Sequence, residues 1–278
     1  MISIVIPAHN EGRVLGRCLE PIVRGACVGE LEVIVVCNGC TDDTADVARE
    51  FGPLVRVLET DRPSKNYALN LGDAEAKGFP RFFVDADIVL PLESIRRVSD
   101  VLEQGRFLGA APRMRVDLSA RSWPIRAFYD IWMRTPYVNE DMLGCGVYAI
   151  SEEGRKRFDR FPDIIADDCF VRLLFDEDEK TSVDDAWFLM TPPQTLHSLI
   201  HINVRRAVGM LEMAERHPET TASESDRQRK ALGRIAIDPR RWSALAVYVY
   251  AKLVTTAIFA LKKVRGRHKE WNRDETSR

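Results

Sequence analysis

The first ninety residues alternate between short apolar runs and longer segments in which apolar residues recur at every third or fourth position. Apolar runs of about four to eight residues are typical of strands buried on both faces, whereas the longer segments are typical of amphipathic helices. The predicted strands cover residues 2–6, 31–36, 54–58 and 81–90, and the predicted helices cover 13–23, 42–51 and 67–76. Because strands that alternate with helices favour a mainly parallel sheet with right-handed crossovers, we expect an α/β fold.

The rest of the chain continues this pattern less regularly. We predict helices over 92–103, 125–133, 151–158, 169–175 and 196–216, and strands over 107–117, 144–150 and 187–190. Residues 217–229 are polar with mixed charges, which predicts a loop or linker. We expect one domain over residues 1–215, made of a first half (1–95) and a second half (96–215). A C-terminal segment (216–278) follows and contains the most apolar stretch of the chain, 243–261.

The composition excludes one class of function and indicates a compartment. With a formal net charge of -2 and a sequence pI of about 6.3, the chain lacks the basic character of a general nucleic-acid binder, so we expect no nucleic-acid partner. The N-terminus runs directly into a strand without the basic start of a signal peptide, which favours a cytoplasmic location. Cys37 and Cys40 form a Cys-X-X-Cys pair, but no second pair at zinc-ligand spacing is present, so we expect a structural role for them.

Two acids one residue apart, Asp85 and Asp87, follow the apolar start of the fourth strand. Side chains at positions i and i+2 of a strand point to the same face, and ligands of an open α/β sheet bind at the carboxyl ends of its strands. Two carboxylates held this close repel each other unless a cation lies between them, and Mg²⁺ takes one or two carboxylates together with substrate phosphate oxygens. The pattern predicts a metal–diphosphate site that uses Mg²⁺ or Mn²⁺. A solvated acidic turn is the alternative.

A second pair of acids, Asp167 and Asp168, ends another apolar run and begins a predicted helix. A carboxylate buried beside another carboxylate has a raised pKa, and such a group can act as a general base toward a hydroxyl. Asp168 is our candidate for the base, with Asp167 as the residue that orients it or as a second acid. The alternative is that these residues cap the helix, a role that Asp fills well.

Five motifs, in matching order and rough spacing, resemble the family-2 glycosyltransferases of GT-A fold. They are residues 4–11, 35–42, 65–70, 85–87 and 167–168. The resemblance covers roughly residues 1–210. It implies a Rossmann-like, mainly parallel central sheet flanked by helices, with a helical extension at the C-terminus. It also implies an inverting transfer of a sugar from a nucleotide-diphosphate sugar to an acceptor hydroxyl.

The resemblance further implies roles for individual residues. The residues expected to bind the nucleotide sugar are Pro7, Ala8, Asn10, Glu11, Asn38, Lys65, Asp85, Ala86 and Asp87. Asn38 falls where the family has an aspartate that hydrogen-bonds the base, Lys65 matches a basic residue near the base and phosphates, and Asp168 matches the catalytic base.

Two further sets of side chains leave alternatives open. Arg205 and Arg206 either bind a phosphate or lie on a solvated helix face. His197 and His201 share a helix face, and His197 is either a third metal ligand or a surface or packed histidine.

The sequence departs from the family in two places. Cys37 and Asn38 replace the usual acidic pair, so the base of the donor (UDP, GDP or dTDP) stays open. The Gln-X-X-Arg-Trp motif of processive synthases is missing, since residues 240–242 lie too far along and lack the glutamine, which favours single addition over polymerisation. The competing functions are a catalytically inactive nucleotide-sugar-binding scaffold and a nucleotidyltransferase. The second would need a glycine-rich loop after the first strand, which residues 7–11 do not provide.

The C-terminal segment bears on the acceptor and on partners. Residues 244–261 contain no acid and one basic residue, Lys252, and basic residues crowd positions 262–269. The segment either lies at an anionic membrane surface, packs or dimerises as an ordinary helix, or crosses the membrane, although Lys at the centre of a span costs roughly 2.5–3.5 kcal/mol. The first alternative fits a lipid-linked acceptor or polysaccharide precursor at the inner face of the cell membrane, and the second fits a homodimer.

Overall fold

The computed structural model describes residues 1–139, 142, 145–216 and 218–264, without the side chains of residues 216 and 218–225. Within these residues the strands are β1 (Ile2–Ala8), β2 (Leu31–Asn38), β3 (Val55–Thr60), β4 (Arg81–Val84), β5 (Gly109–Val116), β6 (Val147–Ile150) and β7 (Lys180–Met190). The helices are α1 (Gly12–Val23), α2 (Thr44–Arg49), α3 (Lys65–Glu75), α4 (Leu92–Glu103), α5 (Trp123–Trp132), α6 (Glu152–Arg155), α7 (Asp167–Leu173), α8 (Leu196–Arg216), α9 (Pro218–Ala236) and α10 (Trp242–Val264).

The strands form one mixed sheet in the order β3-β2-β1-β4-β6-β5-β7. Neighbours from β3 to β4 are parallel, β6 runs antiparallel to both β4 and β5, and β7 is parallel to β5. The prediction of a mainly parallel α/β sheet with helices on its faces and at its C-terminus is confirmed.

Three parallel strands bring the predicted donor-binding residues to one edge of the sheet. β1 ends at Ala8, β2 ends at Asn38, and β4 ends at Val84, directly before Asp85. Because these strands are neighbours that run in the same direction, their carboxyl ends meet at the same edge, where open α/β sheets bind ligands.

The first strand is longer than predicted and includes Pro7. Proline lacks an N–H group and is usually excluded from inner strands. Ser3 N donates to Pro80 O (3.2 Å), so the N–H groups at odd positions of β1 face β4, and the β4 ladder ends opposite Val5. Pro7 therefore lies beyond the last β1–β4 pair, where no ladder hydrogen bond is lost.

Two local predictions are wrong. β4 ends at Val84, so Asp85 and Asp87 lie in a turn, closed by a hydrogen bond from Ile88 N to Asp85 O (3.2 Å), and not on one face of a strand. Of the predicted linker, residues 218–229 belong to helix α9, while residue 217 lies outside the described residues. Pro218 suits the first turn of a helix, and residues 219–232 contain no Gly or Pro that would interrupt it.

Helix α10 packs its inner face against α5 and α8. Tyr248 is buried and stacks on Phe128 of α5, with ring centroids 5.1 Å apart. Its hydroxyl accepts a hydrogen bond from Gln228 Nε2 of α9 (3.0 Å). Among the described residues, 239–264 form the one helical stretch long and apolar enough to cross a membrane, while the basic positions 265–269 lie outside them.

Candidate active site

The loops that follow β1 and β2 are fastened to each other at the sheet edge. Asn38 Nδ2 donates to Ala8 O (2.8 Å), and His9 Nδ1 lies 2.5 Å from Asn38 O. Thr41 N donates to Asn10 Oδ1 (2.7 Å), and Asn10 has a φ of 53°, in the left-handed region that Asn tolerates better than most residues. These contacts pre-form the loop that the sequence assigns to the nucleotide.

Asn38 has a buried oxygen without a hydrogen-bond partner in the described part of the chain. The residue is 2% exposed, and its Nδ2 is directed to the Ala8 carbonyl while its Oδ1 is unpaired. An unpaired buried acceptor is unfavourable by roughly 1–3 kcal/mol, so an N–H donor at this position would stabilise it.

The Cys-X-X-Cys pair lies within this loop region. Asn10 N donates to Cys40 Sγ (3.4 Å), and Cys40 Sγ donates to Ala8 O (3.5 Å). A hydrogen bond from the Cys37 side chain has the largest effect on Cys40 and lowers the pKa of its thiol to about 6, while the pKa of Cys37 is raised. The pair therefore helps to fasten the two loops.

The backbone of Gly146 holds the turn that carries Asp85. Asp85 N donates to Gly146 O (2.7 Å), and Gly146 has a φ of +93°. A Cβ atom at Gly146 would lie 3.0 Å from Ile88 Cγ1 and 3.1 Å from Asp85 Oδ2. Gly146 thus permits both the backbone conformation and the close approach to the Asp85 carboxylate.

Lys65 joins the two pairs of acids. It is the first residue of α3, where Ser64 Oγ accepts a hydrogen bond from Tyr67 N (3.3 Å). Its Nζ lies 2.8 Å from Asp85 Oδ1 and 2.9 Å from Asp167 Oδ1. Desolvation lowers the pKa of Lys65, but the charges of Asp167 and Asp85 outweigh it and raise the pKa overall. The ammonium group is therefore a fixed positive charge between the two acids.

Asp167 and Asp168 are the first two residues of α7. The N-cap position is occupied by Ala166, whose side chain cannot cap the helix, so neither acid is the N-cap residue. Asp167 is buried, and Tyr148 Oη lies 3.5 Å from its Oδ2. Burial, followed by the charge of Asp167, raises the pKa of Asp168 to about 7, although Lys65 opposes this rise. A carboxylate with this pKa is matched to general-base catalysis near neutral pH.

The loop before Asp167 is held by side chains that the sequence did not single out. Asn66 Nδ2 donates to Ile164 O (2.5 Å), and Asn70 exchanges two hydrogen bonds with the backbone of Phe161 (2.8 and 2.9 Å). Glu212 Oε2 of α8 accepts from Ile165 N (3.0 Å). The one available signal was the i, i+4 spacing of Asn66 and Asn70, which places two amides on one face of α3.

Arg206 lies near this site, whereas His197 is not brought to it. Desolvation lowers the pKa of Arg206, but nearby groups that include Cys145 and Asp168 raise it overall, and its guanidinium lies 5.6 Å from the centre of the Trp132 ring. His197 is exposed and packs against His201, with ring centroids 4.4 Å apart. In the described chain no group of three or more His, Cys, Asp or Glu is placed to hold a metal, so His197 does not join Asp85 and Asp87.

Arg205 is the neighbour of Arg206 on α8 and is half-buried. Successive residues of a helix are about 100° apart around its axis, so the two arginines do not share a face. Their positions therefore do not favour the binding of one phosphate by both arginines. A phosphate-binding role for Arg205 stays a prediction.

A comparison with protein families decides the assignment. The model of "Glycosyl transferase family 2" matches residues 3–157, more than half of the chain. The chain belongs to glycosyl transferase family 2.

Named relatives of this family-2 glycosyltransferase are similar over part of their length. An undecaprenyl-phosphate 4-deoxy-4-formamido-L-arabinose transferase of Pseudomonas savastanoi pv. phaseolicola is 29% identical over 153 residues, which are 52% of this chain and 45% of the relative. A PGL/p-HBAD biosynthesis glycosyltransferase of Mycobacterium bovis is 38% identical over 114 residues, 39% of this chain and 42% of the relative. The match thus spans less than half the length of these curated relatives.

Solved structures show the GT-A fold. The mannosyltransferase PcManGT from Pyrobaculum calidifontis, in complex with GDP-Man and Mn²⁺, superposes with a TM-score of 0.68 at 18% identity and covers 94% of this chain and 87% of that one. Glucosyl-3-phosphoglycerate synthase from Mycobacterium tuberculosis, with Mn²⁺, UDP and glucosyl-3-phosphoglycerate, has a TM-score of 0.55 at 22% identity and covers 78% and 79%. At these identities the likeness shows the fold alone, and it confirms the prediction of a GT-A sheet.

Proposed function

We propose that the protein transfers one sugar from a nucleotide-diphosphate sugar to an acceptor hydroxyl by direct displacement, with inversion at the anomeric carbon. The observation that carries the proposal is the position of Lys65 Nζ, within 3 Å of both Asp85 and Asp167. This contact supports a donor site at the sheet edge that adjoins Asp167, the neighbour of the candidate base. Residues 1–95 then bind the donor, and residues 96–215 supply the base and the acceptor side.

The donor would bind across the ends of β1, β2 and β4. Pro7, Ala8, Asn10 and Glu11 shape the first loop, and Asn38 presents an unpaired buried oxygen beside it. Uracil, thymine and guanine each carry a ring N–H that can donate to such an acceptor. Asn38 therefore supports UDP, dTDP or GDP as the carrier of the sugar.

Asp85 and Asp87 are the residues that would hold Mg²⁺ or Mn²⁺. Both are half-buried carboxylates, and the Lys65 ammonium at 2.8 Å from Asp85 supports the proposal that this turn stabilises positive charge. Hard divalent ions take one or two carboxylates and complete their shell with substrate phosphate oxygens, which fits this donor set. A bound ion would supply positive charge to the leaving diphosphate. Ala86 holds the two acids at their spacing, buried beneath the turn.

Asp168 would accept the proton of the acceptor hydroxyl. The acceptor oxygen forms its bond to the anomeric carbon while the bond from that carbon to the diphosphate oxygen breaks, and the electron pair leaves with the diphosphate. Asp167, fixed by Lys65 and close to Tyr148, keeps a negative charge beside Asp168 and so sustains its raised pKa. Lys65 provides positive charge at these acids, 2.9 Å from Asp167.

The acceptor class is supported by the named activity of a relative. The Pseudomonas relative is an undecaprenyl-phosphate transferase, which favours a lipid-linked acceptor over a soluble polysaccharide precursor. A lipid-linked acceptor would place the protein at the inner face of the cell membrane.

Turnover and binding measured side by side test the proposal. UDP-, dTDP- and GDP-sugars are screened for thermal stabilisation with and without Mn²⁺, and donor hydrolysis is then measured for wild type, Asp168→Asn and Asp163→Asn. Asp163 is an exposed acid of the same loop and serves as the matched control. We expect Asp168→Asn to bind the donor normally and to lose about 10²–10⁴-fold in rate, the usual contribution of a general base. Donor binding without turnover in the wild type would instead support the inactive scaffold.

A further inference from the structure

We propose that the exposed side of helix α10 docks on the surface of an anionic lipid bilayer. We call this side the outer face and define it by Trp242, Val249, Tyr250, Leu253, Leu261 and Val264, all of which are exposed. At about 100° per residue these positions fall within an arc of roughly 120° that runs along the whole helix. The inference adds a partner to the proposed transferase and is tested without turnover, so that each can fail separately.

The outer face is a continuous apolar surface on a helix that is otherwise part of the fold. Trp242 is 60% exposed and Leu253 is 65% exposed, and Ala246, Ala257 and Ala260 lie between the larger side chains of the same arc. A stripe of this length exceeds the isolated apolar residues that are normal on a protein surface. Such surfaces mark an interaction site for another protein or for lipid.

Charge selects lipid as the occupant. Residues 239–264 contain five basic residues and no acid. Lys252 and Lys263 are exposed and lie on the same flank of the outer face by helical spacing, and Lys262 is the third lysine of the helix. Anionic headgroups attract basic residues beside an apolar helix face, and Trp and Tyr favour the boundary between headgroups and acyl chains.

A second copy of the chain fits this surface less well. In a twofold dimer the same patch faces itself, so Lys252 and Lys263 on the flank of the outer face would approach lysines of the second copy, with no acid on the helix to pair with them. Like charges placed opposite each other are unfavourable.

The inner face of α10 argues for lying on the bilayer and against crossing it. Tyr248, Ala251 and Thr255 are buried, and the Tyr248 ring stacks on Phe128. A spanning position would remove these side chains from the core and leave the apolar surface of α5 and α8 exposed to water. The helix can therefore present only its outer face to lipid while the domain stays folded.

Helix α10 packs against α8, the helix that carries Arg206. The Lys252 Nζ lies over the ring of Tyr248 (5.7 Å), and desolvation and the positive charge of Arg206 both lower the pKa of Lys252. Arg206 in turn responds to the charge of Asp168. The charge on the flank of the outer face thus interacts with Arg206, and the charge of Arg206 with the candidate base.

Vesicle co-sedimentation of the full chain, without donor, tests the inference. Wild type is mixed with vesicles of phosphatidylcholine alone and of phosphatidylcholine with 30% phosphatidylglycerol, at low and high salt. We expect binding to the anionic vesicles that weakens with salt and is released by alkaline carbonate, as for a peripheral protein. Leu253→Glu should bind at least about tenfold more weakly, since it places a charge where apolar surface enters the interface.

Val28→Glu is the matched control, because Val28 is fully exposed in the turn before β2 and receives the same charge. It should bind vesicles like the wild type. If Leu253→Glu unfolds, the pair Lys252→Gln and Lys263→Gln replaces it, with the same expected direction. The inference is overturned if wild type ignores anionic vesicles, if Leu253→Glu binds as well as wild type, if carbonate fails to release the protein, or if Leu253→Glu abolishes a dimer that forms without lipid.

Discussion

Lys65 Nζ lies 2.9 Å from Oδ1 of Asp167, a carboxylate that is almost fully buried. The same nitrogen lies 2.8 Å from Asp85 Oδ1, in the turn after β4. One cation at the start of α3 therefore connects the donor edge of the sheet with the start of α7.

Replacing Lys65 with Met should destabilise the protein. It leaves Asp167 buried beside Asp168 without a counter-charge, which in a fully buried pair is unfavourable by about 3–5 kcal/mol. Because the Lys65 side chain is 38% exposed, we expect solvent screening to reduce this to about 1–2 kcal/mol at pH 8. Urea unfolding measures this loss in the free energy of unfolding. Lys156→Met, which removes an exposed pair with Glu153, should leave the free energy of unfolding nearly unchanged, and an equal effect of both variants would contradict the assignment.

The transfer rate should depend on ionisation of the Asp167–Asp168 pair. The pKa of Asp168 is raised to about 7, and only its deprotonated form can accept a proton. We expect kcat/KM for the acceptor to rise with pH up to about 7 and then level off. Because the two acids are coupled, the measured pKa belongs to the pair. A profile that is flat between pH 5 and 8 would remove Asp168 as the base.

Asp168→Asn should stabilise the protein at alkaline pH while it lowers the rate of transfer. The pKa of Asp168 rises from 3.8 to about 7 on folding, so the folded state binds more protons than the unfolded state between these values. Stability of the wild type therefore falls as pH rises through this window, and the neutral Asn escapes the fall. The Tm difference between variant and wild type should be near zero at pH 4 and positive at pH 8. Asp163→Asn should show no such trend, and a negative difference at pH 8 would contradict the raised pKa.

Asn38→Asp should weaken the loop that the donor contacts. Asn38 Nδ2 donates to Ala8 O, and a carboxylate would instead direct an acceptor at that carbonyl. A buried group left without its partner is unfavourable by about 1–3 kcal/mol, which should appear as a lower free energy of unfolding. Asn139→Asp provides the control, since Asn139 is exposed and also donates to a backbone carbonyl, Thr135 O (3.0 Å). Equal losses in the two variants would show that burial of Asn38 has no importance.

Gly146→Ala should weaken binding of the donor by displacing Asp85. Both Gly146 and Gly105 have a positive φ (+93° and +75°), but only the former would place a Cβ near other atoms, at 3.0 Å from Ile88 and 3.1 Å from Asp85. Gly105→Ala is the control, and both variants should lose about 1–3 kcal/mol of stability through backbone strain. Only Gly146→Ala should also weaken Mn²⁺-dependent donor stabilisation in a thermal shift assay. Normal donor binding by this variant would separate Gly146 from the site.

The sequence predicted the parallel half of the fold well because its strands are buried on both faces and read as continuous apolar runs. β7 was predicted only from residue 187, since its first residues, such as Lys180 and Thr181, are polar and half-buried. The antiparallel direction of β6 could not be predicted, because a strand's direction depends on pairings between distant residues. Helix α9 was missed because it carries too few apolar residues to show a helical period.

The sequence predicted the charged residues of the candidate site but not the residues that position them. Asp85, Asp167 and Lys65 were identified from motifs, and the structure brings them together. The strand argument for Asp85 and Asp87 was wrong, since the strand ends one residue earlier. Tyr148 and Asn66 act through contacts with residues far along the chain, and the spacing of Asn66 and Asn70 indicates a shared helix face but not the partner of that face.

The proline in β1 has a geometric consequence for the edge where the donor would lie. β1 and β2 stay paired as far as Ala8 and Cys37, whereas the β1–β4 ladder stops at Val5. At about 3.3 Å per residue, β1 and β2 stay paired for roughly 10 Å beyond the last β1–β4 pair. The acidic turn thus begins where the main chains of β1 and β4 are no longer joined by hydrogen bonds, so Asp85 is held by Gly146 and Lys65 and not by the ladder of the neighbouring strand.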